Sequence, residues 1–292
     1  MDPGAGGDGL TPVLAGLGAA LAWTCSTLCN SASSRRIGAP ATLAWVMLFG
    51  LVVAVPLAAA AGAPEDLDGA TIARLAVSGV GNVVGLALVY VGVRYGRVAV
   101  VTSLGSTQGA IAALLAIAAG ERPSGLTVGG FVLVAAGVLL VVLHSEEEDE
   151  TAARPHGRRS ILLGAAAGLV FGISIYATGT AADAVPATWI ALPARIVGVA
   201  VLLVALAAGL RPLARPVAAR LAMAGGVFEV LGFVSYAVGA REGVAVTSVV
   251  ASQFAALTVV GAWIVFRERL VRRQVAGVGV LAVGVALVAL GA

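Results

Sequence analysis

Apolar residues run along this chain in blocks of about twenty, the length a helix needs to cross the hydrocarbon core of a bilayer. Measured against that length there are ten blocks, near residues 11–31, 40–61, 72–93, 98–118, 124–143, 161–182, 187–209, 218–239, 244–265 and 272–290. Each is far longer than a strand and rich in Ala, Leu and Gly, which excludes buried strands. The short alternating segments of a transmembrane barrel are also missing from the pattern. The expected fold class is an all-α integral membrane protein of ten transmembrane helices. The first block follows the acidic stretch MDPGAGGDGL. A secretory signal begins with a basic region, so a retained first span is expected.

The polar interruption HSEEEDETAARPHGRRS, 144–160, divides the blocks into two sets of five. The sets resemble each other. ARLAVSGVGNVVGLALVY (73–90) and ARLAMAGGVFEVLGFVSY (219–236) share seven of eighteen positions at an offset of 146. VTSLGSTQ (101–108) pairs with VTSVVASQ (246–253), PAT at 40–42 with PAT at 186–188, and GER at 120–122 with RER at 267–269. Residues 1–143 therefore read as one five-helix repeat, 144–160 as a charged linker and 161–292 as a second repeat.

Composition agrees with the membrane reading: 60% of the 292 residues are hydrophobic and 11% charged, with a mean hydropathy of +1.02. Soluble domains are about a quarter charged. The formal charge of +3 matters less than its distribution. All 18 basic residues are arginine, and fourteen fall in the loops after spans 1, 3, 5, 7 and 9. Basic loops stay cytoplasmic. Both termini are thus expected outside, with loops 1–2, 3–4, 5–6, 7–8 and 9–10 inside. Five spans per repeat then force the second repeat to be inverted, an arrangement found in alternating-access transporters.

VTSLGSTQGAIAALLAIAAGERPSGLTVGGFVLVAAGVLLVV and VTSVVASQFAALTVVGAWIVFRERLVRRQVAGVGVLAVGVALVAL resemble paired helices of the EamA-type branch of the drug/metabolite transporter superfamily. In that family a Gly-Glu-Arg-type turn joins them and a Gly-rich helix closes the repeat. The resemblance covers nearly the whole chain outside the linker. It implies a ten-helix transporter of two five-helix repeats. It also implies an Arg in the second helix of each repeat. Arg195 fits in the second copy, whereas the first has WVMLF at 45–49.

The candidate chemistry is sparse. GGVFEVLGF (225–233) sets Glu229 among glycines and large apolar residues, with Arg220 and Arg241 the nearest charges in sequence. At 1.5 Å per residue Glu229 lies about 16 Å, and Arg195 about 12 Å, from the outer ends of consecutive antiparallel spans. Two readings follow: a buried pair fixing span 7 on span 8, or groups on an aqueous pathway, with Glu229 taking up a proton or binding a cationic substrate group. Charges in hydrocarbon are costly enough to face a cavity or each other. Proton-coupled antiport with Glu229 as carrier is the expectation.

Asn82, Gln108 and Gln253 are mid-span amides, the glutamines being repeat equivalents and Asn82 aligning with Phe228; helix glue and substrate binding are both open to them. Thr102, Ser103, Thr247 and Ser248 are expected to bond back within their own helices. Trp23, aligned with Phe171, is a candidate cavity residue; Tyr90 and Tyr236 read as interfacial anchors. Gly81/Gly85, Gly105/Gly109 and Gly164/Gly168/Gly172 read as close-packing faces. Cys25 and Cys29 share one helix face as small packing residues, and His144 and His156 fall in the linker.

No metal site, cofactor or nucleic-acid partner is expected, and an enzyme would need clustered catalytic groups. The expected function is secondary transport of a small amino-acid-like or drug-like metabolite, in the direction of export, across a bacterial-type inner membrane. Monomer and homodimer are both compatible with the sequence. The rivals are a non-transporting scaffold or sensor, or an importer of metabolites or sugar-like compounds.

Overall fold

The computed structural model describes residues 10–64, 67–95, 101, 104–143, 157–209, 215–266 and 272–291. These residues are helical throughout their ordered elements. Helix α1 is Thr11–Ile37, α2 Ala39–Ala60, α3 Gly69–Tyr95, α4 Gln108–Ala118 and α5 Gly125–Leu143. Then come α6 Gly157–Ala181, a 3₁₀ turn Ala187–Ala191, α7 Leu192–Ala207, α8 Pro216–Ala240, α9 Val244–Ala251, α10 Phe254–Phe266 and α11 Arg272–Gly291.

Among them, six helices (α1, α2, α3, α6, α8 and the 3₁₀ turn with α7) are long and apolar enough to cross a membrane, and shorter apolar helices fill the remaining blocks. The protein is an all-helical, multi-pass membrane protein. Residues 144–156 of the expected linker, with both histidines, lie outside the described residues. The linker's last four residues, 157–160, already belong to α6.

Helix ends follow local chemistry. Gly38 ends α1 at φ +82°, a conformation that favours glycine, and its N–H bonds Ser34 O at 2.8 Å. Before α3, the Asp68 carboxylate accepts the Thr71 N–H at 2.8 Å, and that bonding with the nearby Arg74 holds its carboxyl below the usual range.

Two blocks are interrupted at equivalent places. A turn at Ser106–Thr107 precedes α4, and one at Ser252–Gln253 separates α9 from α10. The Thr107 and Ser252 hydroxyls donate to carbonyls three residues back, Leu104 O at 2.6 Å and Val249 O at 2.7 Å. The Thr107 and Gln253 N–H groups likewise bond three residues back, so both helices tighten and break there.

The most extensive helix contacts form a closed set. Helix α1 packs on α8 and α3 on α6; α2 packs on α8 and α3 on α7; α9 and α10 pack on α1, and α4 on α6. The other extensive contacts are α2 on α7, α4 on α9 and α5 on α11, and lesser ones include α8 on α9, α8 on α6 and α1 on α2. Among the extensive contacts, exchanging each helix with its counterpart five spans later returns the same neighbours; the lesser ones do not all follow. Individual residues repeat the relation. A Cβ at Gly85 would meet Phe171, and one at Gly232 would meet Trp23; Gly79 lies on Pro193 as Gly226 lies on Val46. In these contacts the glycines and the Val46/Pro193 pair correspond at an offset of 147, one residue from the sequence alignment, and Trp23 and Phe171 at 148. At the glycines' offset Asn82 corresponds to Glu229, not to Phe228.

The glycine faces expected from spacing are close contacts. On α6, Gly164, Gly168 and Gly172 face Leu104, Thr107 and Ile111 in succession, and on α3 Gly81 faces Ser174. Gly105 is different: its nearest neighbour, Val89, would be 3.9 Å from a Cβ, an ordinary contact.

Candidate functional site

Helix α8 begins its central turn with Gly225 and Gly226. A Cβ at Gly226 would lie 2.7 Å from Val46 O and 3.1 Å from Gly50 N, so the backbones of α2 and α8 meet there. One turn further along the same helix stand Glu229 and, four residues on, Phe233; this i, i+4 spacing puts both on one face. Helix α7 supplies Arg195 from its first turn. Its stem crosses Gly50, where a Cβ would come within 2.8 Å of Cδ and 2.9 Å of Nε.

Arg195 is completely enclosed, while Glu229 keeps 13% of its side-chain exposure. Their separation is 3.4 Å between Nη2 and Oε1. The guanidinium also donates from Nη1 to Met47 Sδ at 3.2 Å and lies with Cζ 5.7 Å from the Phe233 ring centre. The two charges read from sequence as neighbours in depth are an ion pair. Met47, Gly50 and Phe233 complete its surroundings. Sequence reading missed them because each is an ordinary packing residue until an arginine lies against it.

Trp23 adjoins this cluster through Phe233, edge-on at 5.5 Å, and also stacks on Tyr236 and meets Phe254, each at 6.1 Å. Asn82, Gln108 and Gln253 are buried, but among the described residues no hydrogen bond joins them to the ion pair. Asn82 Oδ1 and Gln253 Oε1 have no partner among the described residues; Gln253 Nε2 returns to Val249 O at 3.0 Å. The glutamines sit at the helix breaks, where Gly109 brings α4 against Ser248 and Ser252.

Three smaller expectations change. Tyr236 is no interfacial anchor: it is fully buried, and its hydroxyl donates to Ile175 O at 3.1 Å and lies 2.8 Å from Ser248 Oγ. Two partners on other helices make burial tolerable. Ser248 is therefore spent on Tyr236 instead of its own helix, and Thr247 Oγ1 has no partner among the described residues. Thr102, Ser103 and the Tyr90 side chain lie outside the described residues. Cys25 and Cys29 are unbridged and half-buried.

The GER turn has a visible task. Glu121 accepts the Val244 and Ala245 N–H groups at 3.0 and 2.9 Å, closing the start of α9 from the opposite half. Arg241 donates to Ala182 O at 2.9 Å and Val185 O at 2.8 Å, and Trp189 to Ala58 O at 3.2 Å and Gly62 O at 2.9 Å. Charged and indole donors thus tie helix ends together across that face. Glu121→Ala is expected to lower stability by about 1–2 kcal/mol, the worth of a lost helix cap. Thermal unfolding in detergent, with Glu121→Gln retaining part of the loss, checks it.

Among solved structures, a crystal structure described only as that of a protein superimposes with a TM-score of 0.79. It spans 96% of this chain and 99% of its own at 16% identity, which shows a shared fold. No curated protein matches the sequence. The model of the EamA-like transporter family matches residues 10–143, covering α1 to α5. Residues 10–143, the first half of the chain, thus match the EamA-like transporter family, which is part of the drug/metabolite transporter superfamily.

Proposed function

We propose that the protein is a secondary active transporter that moves a small amino-acid-like or drug-like metabolite outward by alternating access. Two inverted five-helix repeats, 1–143 and 161–292, rock about a site near the bilayer midplane. Glu229 and Arg195 form its centre, Asn82, Gln108, Gln253 and Trp23 line it, and Glu229 carries the coupling proton. The arginine distribution supports an inner-membrane orientation with both termini outside.

One observation carries the reading: a fully enclosed guanidinium paired with a partly exposed carboxylate in the middle of a helix bundle. Buried charges in a membrane cost enough that they commonly mark pathways for ions and substrates. The breaks at 106–107 and 252–253 add support, since transporters of repeat architecture bind at discontinuous helices. A scaffold or sensor gains nothing from either feature.

Comparing metabolites inside and outside cells that express the protein, its Glu229→Gln variant or neither tests the proposal. The expected result is a compound displaced across the membrane by the native protein alone. Identical metabolite profiles in all three would overturn it.

A further inference from the structure

Arg195 is not saturated by its carboxylate. Among the described residues only Nη1 has a hydrogen-bond acceptor, and that is a thioether. Nε and Nη2 have none among the described residues, and Glu229 Oε1, at 3.4 Å from Nη2, is within ion-pair reach without a hydrogen bond. Nε–H and Nη2–H share one edge of the planar guanidinium, the edge that takes two carboxylate oxygens side by side. A buried cation so thinly bonded is expensive.

We infer that this edge receives the carboxylate of a small monoanionic substrate in place of Glu229, and that Glu229 carries a proton while the substrate is bound. The inference rests on the transporter reading; it supplies a substrate class and turns proton exchange into proton co-transport, in which outward movement runs down the substrate's own gradient and carries a proton with it.

Charge balance gives the reason. With Glu229 ionised, the pair is neutral and the carboxylate holds the guanidinium. When Glu229 takes a proton from water on the loading side, Arg195 keeps its charge and loses its counter-ion. An arriving carboxylate restores neutrality. The closed pair and the site loaded with both proton and anion are the two neutral states, and hydrocarbon penalises the others. Proton and anion therefore enter and leave together, and each favours binding of the other. On the far side Glu229 returns its proton to water and reclaims Arg195.

The displaced group sets the chemistry of the newcomer. A monocarboxylate has the charge and shape of the Glu229 head it replaces, whereas a phosphate dianion would leave the loaded site negative. A cationic substrate would leave Arg195 uncovered. Phe233 touches the guanidinium face and leads to Trp23 and Phe254, so an aromatic or alkyl body has a wall beside the charged end.

Other titratable groups on the helices packed against α8 are Cys25, Cys29, Arg35 and Arg36 of α1, and Arg158, Arg159 and Tyr176 of α6; α2 and α9 have none. On α8 itself are Arg220 and Tyr236, the latter committed to Ile175 and Ser248. Glu229 is the carboxylate among them.

The test uses the full chain in vesicles containing a pH-sensitive dye, with N-acetyl-L-phenylalanine and its uncharged amide as probes. Protein-free vesicles correct for passive entry of the acid. The expected result is saturable acidification of the lumen with the carboxylate and none with the amide. In detergent, Glu229→Gln should bind the carboxylate about tenfold more tightly, a typical coupling between sites. Its affinity should not change with pH, whereas that of the native protein should weaken as pH rises. Tighter binding cannot arise from misfolding, and the native vesicle measurement stands even if the variant is unstable.

Alkalinisation of the lumen, equal competition by the amide, or unchanged or weaker binding in Glu229→Gln would each overturn the inference. If native vesicles carry an amine or neutral solute and no carboxylate, this inference alone falls. If they carry no member of a panel of amines, neutral solutes and carboxylates, the transporter reading falls with it.

Discussion

Arg195→Met is expected to destabilise the protein by about 3 kcal/mol, the low end of the cost of stripping one partner from a buried ion pair. The low end applies because Glu229 retains 13% of its exposure and can draw on water. The loss has little to do with packing: methionine fills most of the space beside Met47, Gly50 and Phe233 that the arginine stem occupies. It comes from a carboxylate left without its cation.

Arg195→Met combined with Glu229→Leu should therefore be more stable than Arg195→Met alone. Two apolar residues can replace a buried pair at little or no cost. Thermal unfolding of the four proteins in one detergent measures the coupling. If the two single effects simply add, the pair contributes no energy as a pair. Transport should be absent from every variant lacking either charge, including the double variant with restored stability. That separation of stability from activity distinguishes a working pair from one that only joins α7 to α8.

Much of this arrangement was legible in the sequence, and the parts that were not have identifiable causes. Apolar length marked the blocks, since the bilayer imposes it on every span. Isolation in sequence marked Glu229 and Arg195, and similar depth on consecutive helices brought them to each other. The breaks at 106–107 and 252–253 were invisible because the apolar pattern runs straight through them. They depend on two hydroxyls choosing carbonyls three residues back.

The register of Asn82 was one residue out for a different reason. Ala, Val and Gly identities recur too easily in such a chain to fix an alignment, whereas a glycine seated on an aromatic ring does. That contact places Asn82 opposite Glu229, so the two halves carry an amide and an acid at corresponding points. Tyr236 looked like an anchor because sequence gives no sign of the carbonyl and hydroxyl that satisfy it inside the bundle.

Gly109→Ala and Gly129→Ala add the same methyl group to two helices and should have opposite results. At Gly109 the new Cβ would lie 2.5 Å from the Ser248 carbonyl oxygen and 2.7 Å from Ser252 Oγ. A backbone carbonyl cannot turn aside as a side chain can, so α4 must separate from α9. Overpacking costs about 1–3 kcal/mol, and this site should reach the upper end. At Gly129 a Cβ would meet nothing within 4 Å, and the helix preference for alanine over glycine adds up to about 1 kcal/mol. Paired unfolding curves in detergent check both signs; equal shifts would mean that α4 and α9 are not in close contact. The separation should also slow transport beyond what lost stability explains. Gly109 is one residue from Gln108 and packs against Ser252, so prising the helices apart displaces both breaks and both glutamines from the centre of the bundle. Uptake per folded molecule, measured in vesicles at a temperature where the variant remains folded, is the deciding quantity: a rate equal to that of the native protein would make the α4–α9 crossing a structural contact alone.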